Sequence, residues 1–169
     1  VILAGVALIE EYLKYLTVKV AALSHPDFNE PIDAMIYMIT AALGFAAIEN
    51  LIFLAPFFDE HGPFYGLLDG LELTTTRFIG ANLLHVLSSA IVGYFLARHL
   101  FSPWRKHAVF SGILLASALH TVFNYLIIKK DSLPFPIVLV ALLLVSMAIV
   151  VFVDFERLKK TSSRQINQA

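Results

Sequence analysis

Apolar residues in this chain come in long blocks separated by short polar connections. The blocks cover residues 1–23, 32–57, 75–100, 108–128 and 133–153. A helix rises ~1.5 Å per residue, so about 20 residues cross a ~30 Å hydrocarbon core. The last block, "LPFPIVLVALLLVSMAIVVFV", has neither a charge nor the polar stripe that a soluble bundle turns to water. The pattern predicts an all-α fold, a polytopic transmembrane helical bundle with about five spans. It predicts one membrane domain over residues 1–156 and a polar cytoplasmic tail over 157–169. Val1 already lies inside an apolar run, which predicts one or more further spans upstream.

Composition points the same way. The 169 residues are 59% hydrophobic and 15% charged, against about 25% charged in an ordinary soluble domain. Mean hydropathy is +0.79. A net charge of −1 argues against a nucleic-acid partner, and the absence of cysteine excludes disulfides and thiolate chemistry. The bilayer is the expected partner. Lys and Arg in short connections set orientation. Arg98, Arg105 and Lys106 follow the third block, and Arg157, Lys159, Lys160 and Arg164 follow the fifth. The connection 58–74 has Asp59, Glu60, Asp69 and Glu72 but no Lys or Arg. The expectation is a multi-pass cell-membrane protein with its C-terminus in the cytoplasm, although Lys129 and Lys130 run against that assignment.

Four blocks carry polar groups that hydrocarbon tolerates badly. These are Glu10, Glu11 and Lys14 in the first, and Glu49 and Asn50 in the second. The third has Arg77, Asn82 and His85, and the fourth has His120 and Asn124. A charge near the bilayer centre costs several kcal/mol, so such residues face a bundle interior or a wet cavity. Counted from the presumed cytoplasmic ends, Glu10, Glu49, His85 and His120 lie about 20, 26, 22 and 18 Å deep. They therefore share one layer, in the outer half of the bilayer. His120 and Asn124, four apart, share a helix face with Ser117, and Ser88 and Ser89 lie one turn beyond His85. Ala42, Gly44, Ala46 and Ala47 are small enough to let helices approach closely.

Glu10 and Glu11 point about 100° apart on a helix, so they cannot serve one site equally. Lys14 can pair with either, neutralising one and leaving the other for chemistry. Two chemistries suit the set. A glutamate can act as general base on water while His and Asn donate to the oxyanion, with no metal. Alternatively Glu49, His85 and His120 bind zinc and another glutamate is the base. Blander roles also exist: helix–helix hydrogen bonding for His and Asn, a buried ion-pair anchor for Glu and Lys, and snorkelling for Arg77. His25, His61, His99 and His107 read as surface groups.

The segments "EEYLK", "NEPIDAMIYMITAALGFAAIEN", the third-block Arg and His, and "HTVFN" resemble the PrsW family of intramembrane proteases. The resemblance runs from about Gly5 to Asn124, one motif to a helix. It implies endoproteolysis of a membrane-embedded or membrane-proximal substrate, typified by first-site cleavage of a single-span anti-sigma factor. The wider superfamily of CAAX prenyl proteases implies Glu10 or Glu11 as water activator and His120 and Asn124 as oxyanion donors. Glu49 stands where that relative has His. His85 belongs to the PrsW pattern itself, with Lys14, Asn50 and Arg77 in support. The rival readings are an ion- or proton-coupled transporter, for which internal repeats and broken spans are lacking, and a non-catalytic membrane scaffold.

Overall fold

The computed structural model describes residues 2–100 and 102–166, and the side chains of these except 57–79 and 162–166. The connection 58–74 and Arg77 therefore lie outside the described side chains. Helix α1 spans Ile2–Ala21, α2 Pro31–Arg98, α3 Arg105–Ile128 and α4 Pro136–Ile166, with a 3-10 turn at Lys130–Ser132. Among the described residues there is no strand. The all-α expectation holds.

Helix α2 carries two spans, Pro31–Pro56 and Gly80–Arg98. They pack antiparallel, with Glu49 against His85 and Met35 against Gly93. Together with Arg105–Ile128 and Pro136–Thr161 they make four helices, among the described residues, long and apolar enough to cross a membrane. Helix α1 has the length, at 20 residues. Its Glu10, Glu11, Lys14 and Lys19 leave it less apolar than the other four. Its buried face is Ala7, Glu11, Lys14 and Val18, at helical spacing, and it packs on α2 and α3. Two of the buried positions on the helix are thus charged, and this is what builds the site.

Local chemistry explains the helix boundaries. Pro31 occupies the first turn of α2, where its missing N–H costs nothing. Asp33 reaches back to accept from the backbone N–H groups of Glu30 (2.8 Å) and Asn29 (3.0 Å). The "NEPID" half of the family-like motif is therefore a helix start. At the other end of the chain, α4 runs on through Ile166, beyond the apolar block that ends at 153. The "ERLKK" stretch has good helix formers, and Leu158 is buried against the core.

Small residues set the close approach of the two α2 spans. Ala34, Ala42 and Ala90 are fully buried and Ala46 nearly so. Gly44 and Ala47, expected at the same contact, are exposed instead, because the seam follows a single i, i+4 stripe. Gly93 is the tightest point: a Cβ there would sit 2.7 Å from Met35 Cα and 2.8 Å from the Ala34 carbonyl oxygen. Both are backbone atoms, so the helices would have to separate. Gly93→Ala is expected to destabilise by about 1–3 kcal/mol, read as a lower melting temperature of the purified protein. Gly44→Ala, where a Cβ meets nothing within 4 Å, is the control. Equal melting of the two variants would refute the close approach.

Candidate active site

The charged stripe of α1 faces the return span of α2 and the middle of α3. Four donors converge on the buried Glu11 carboxylate. Lys14 Nζ donates to Oε1 at 2.8 Å, Ser88 Oγ to Oε1 at 2.9 Å and Ser89 Oγ to Oε2 at 3.2 Å. His120 Nδ1 lies 3.0 Å from Oε1. An ionised carboxylate only accepts, so His120 carries its proton on Nδ1. Glu11 and Lys14 are 0% and 1% exposed. A buried ion pair persists only where the remaining lone pairs and protons are also satisfied, and here they are. Ser88 and Ser89 supply half the donors. Their position one turn past His85 was visible in the sequence, but nothing there joined them to Glu11.

Lys14 also bonds His85. Its Nζ lies 2.8 Å from His85 Nδ1, while His85 Nε2 lies 2.7 Å from Glu49 Oε2. Lys14 has no acceptor, so Nδ1 carries the lone pair and Nε2–H donates to Glu49. A continuous chain thus runs Glu11–Lys14–His85–Glu49 across three spans. Phe45 closes it, with Lys14 Nζ 4.8 Å from the ring centroid and His85 edge-on at 5.6 Å. The His85 and His120 rings meet nearly perpendicularly at 5.0 Å.

Glu10 has different surroundings. Its Oε2 is buried without a hydrogen-bond partner, and it lies 3.6 Å from His120 Nε2. With the His120 proton on Nδ1, a carboxylate oxygen and an imidazole lone pair face one another. Two electron-rich atoms so placed call for something positive, or a proton donor, between them. Glu10, His85 and His120 each offer a ligand atom, all within 4.8 Å of one another. The orphaned Glu10 oxygen and the His120 Nε2 lone pair fit a divalent metal as they stand, whereas His85, with Nδ1 accepting from Lys14 and Nε2–H given to Glu49, would have to release one of those bonds to join them. A metal-bound His donating its other N–H to a carboxylate is a recurrent arrangement, and Glu11 supplies that carboxylate. The carboxylate grouped with the two histidines is Glu10, while Glu49 joins through His85.

The site opens into a cavity of about 500 Å³ lined by Glu49, His85, His120, Asn124, Lys130 and apolar residues including Leu84 and Phe123. Asn124 sits on its wall. Asn50 lies beside the cluster and donates to Asn82 Oδ1 at 3.0 Å, tying the two α2 spans together. Of the other histidines with described side chains, His25 pairs with Asp27, His99 Nδ1 lies 3.3 Å from the Phe95 carbonyl oxygen and His107 packs on Trp104. None approaches the cluster.

Comparison with known proteins adds an independent finding. The family model for the PrsW family intramembrane metalloprotease matches residues 1–153. The chain is 29% identical to Protease PrsW of Geobacillus kaustophilus over 126 residues, covering 74% of this chain and 51% of that protein. It is 28% identical to Protease PrsW of Clostridioides difficile over 123 residues, 71% of this chain and 48% of that protein. It is 24% identical to Protease PrsW of Bacillus subtilis over 121 residues, 70% and 50% of the two chains. The chain spans about half the length of the curated relatives it matches. No solved structure matches it.

Proposed function

The chain belongs to the PrsW family of intramembrane metalloproteases, and on that premise we propose that it is an intramembrane endopeptidase whose reacting groups are Glu10, Glu49, His85, His120 and Asn124. One observation carries the reading. Glu11 is saturated by four donors while Glu10, next to it, keeps a buried oxygen without a partner facing His120. The two glutamates have separate roles. Glu11 holds His120 in one tautomer and orientation, and Lys14 balances its charge. Glu10 stands behind the cavity wall against His120, whose ring lines the cavity, and accepts a proton from water or serves as a metal ligand.

A metal held by Glu10 and His120, with His85 as third ligand once its Nδ1 is released from Lys14, would polarise the scissile carbonyl and acidify water, zinc being the natural candidate for such N and O donors. The protein's own groups do the rest. Glu49 receives the His85 Nε2–H and, lining the cavity, can hold a water. Asn124, on the same wall, can donate its amide N–H to a carbonyl oxygen. The apolar walls exclude bulk water, which strengthens each of these interactions. We take the substrate to be a single-span membrane protein cleaved within or next to the bilayer, with first-site cleavage of an anti-sigma factor as the model case. We take the C-terminus to be cytoplasmic.

The test uses the full-length protein in liposomes with a single-span substrate. His120→Ala and His85→Ala are expected to lose cleavage by at least 100-fold, on the scale of general acid–base or metal-ligand loss (about 10²–10⁴). Cleavage at the wild-type rate by both would sink the reading. Elemental analysis of the same preparations decides the chemistry. Stoichiometric zinc that falls on His85→Ala means a metal centre, and fully active protein without metal means a glutamate mechanism.

A further inference from the structure

A second cavity, of about 480 Å³, lies far along the bundle from the catalytic cluster, between the Arg98 end of α2 and the Arg157–Thr161 turns of α4. It is lined by Arg98 and Arg157 and by the hydroxyl-bearing Tyr94, Ser102 and Thr161. Among the described residues, no acidic side chain lines it. Arg98 Nη1 donates to Tyr94 Oη at 3.3 Å, with the guanidinium 5.9 Å from the ring centroid. That bond uses Tyr94 as acceptor and leaves its O–H free to donate. Arg157 gives one N–H to Asp154 Oδ1 at 3.4 Å and is otherwise exposed. Two guanidinium groups and the Tyr94 and Ser102 hydroxyls therefore converge on this space, while Thr161 Oγ1 donates to the Arg157 carbonyl oxygen at 3.1 Å. Leu100 and Leu158 form an apolar floor beside them.

The cavity's position matters as much as its chemistry. Pro31, Arg98 and Thr161 are ends of three spans that meet at one face of the bundle. Arg105, Lys106, Lys159 and Lys160 crowd the same end. Charged donors above and an apolar floor below match a phosphodiester headgroup with its first acyl methylenes. Basic pockets between transmembrane helices at the cytoplasmic surface bind acidic headgroups by these interactions. We propose that this cavity binds the phosphate of an anionic phospholipid from the leaflet it borders, clamping the end of α2 to α4.

The experiment exchanges the purified full-length protein into micelles doped with phosphatidylglycerol or phosphatidylcholine. It measures lipid retained per protein and the melting temperature. Wild type should retain phosphatidylglycerol selectively and melt higher in its presence. Arg98→Gln with Arg157→Gln should bind about 30-fold more weakly, from about 1 kcal/mol per basic contact. Lys106→Gln with Lys160→Gln removes the same charge outside the cavity and should bind like wild type. Equal weakening by both pairs would assign the effect to general surface charge and overturn the site, as would unchanged binding in the arginine pair. Glycerol 3-phosphate or inorganic phosphate is the remaining arm. Stabilisation by either, equal to that by the lipid and lost in the arginine pair, would make the ligand a free phosphate and overturn the lipid assignment. Should the arginine pair melt far below wild type without lipid, Arg98→Lys with Arg157→Lys replaces it and is expected to keep selectivity for the acidic lipid.

Discussion

Glu10→Gln is expected to retain about 10⁻²–10⁻⁴ of wild-type cleavage, the scale on which a positioned general base contributes, in a protein that folds as well as wild type. The reason is the asymmetry between adjacent residues. Glu10 Oε2 makes no hydrogen bond, so an isosteric amide breaks none there. The amide's N–H₂ group can even donate to His120 Nε2, 3.6 Å from the present oxygen. Stability is then untouched or slightly raised, while the carboxylate that would take a proton or hold a cation is gone. The measurement is single-turnover cleavage of a single-span substrate, with a thermal melt and a metal analysis on the same sample. Metal retained with the rate lost makes Glu10 the base, and metal and rate lost together make it a ligand. A variant that cleaves at the wild-type rate excludes Glu10 from the chemistry under either scheme.

That adjacency was half legible in the sequence. "EEYLK" announced two glutamates about 100° apart and one lysine able to neutralise either, because i+3 and i+4 both lie within reach on a helix. The choice of partner depended on what stood opposite, and that is a tertiary fact. Ser88 and Ser89 on the return span select Glu11. The depth estimate placed Glu10, Glu49, His85 and His120 in one layer, and the structure brings them together. Depth alone could not say which carboxylate would stand beside both histidines. The expected metal set of Glu49, His85 and His120 shares its histidines with the group that converges, but its carboxylate differs. Helix boundaries were less legible. The block pattern tracks hydrocarbon, whereas helices end where caps and prolines end them. Thus α4 continues past its apolar block into "ERLKK", and α2 begins where Pro31 and Asp33 start it.

Removing Glu11 should separate stability from activity. Glu11→Leu leaves the buried Lys14 ammonium without its counter-charge, and Ser88, Ser89 and His120 without their acceptor. Breaking a buried pair from one side costs about 3–5 kcal/mol. This is enough to shift the melting temperature by many degrees or prevent isolation of the protein. Glu11→Leu combined with Lys14→Met replaces both charges by apolar groups of similar volume, and such exchanges are commonly neutral or better. Ser88 already lies 3.2 Å from the His85 carbonyl oxygen, so its hydroxyl keeps a partner on its own helix. The double variant should therefore recover the part of the lost stability that comes from the uncompensated Lys14 charge, while Ser89, His120 Nδ1 and His85 Nδ1 stay without their partners. It should not recover cleavage. His120 Nδ1–H then donates to nothing, so neither its tautomer nor its ring plane is held, and His85 Nδ1 loses the Lys14 ammonium. Loss of such orienting partners typically costs 10–100-fold in activity or metal affinity. Partly restabilised but slow is thus the expected phenotype, with thermal melts and cleavage rates measured across wild type, both single variants and the double. Full activity in the double would remove Glu11 and Lys14 from the positioning of the histidines. A double variant no more stable than Glu11→Leu would show that Lys14 does not depend on Glu11 for its burial.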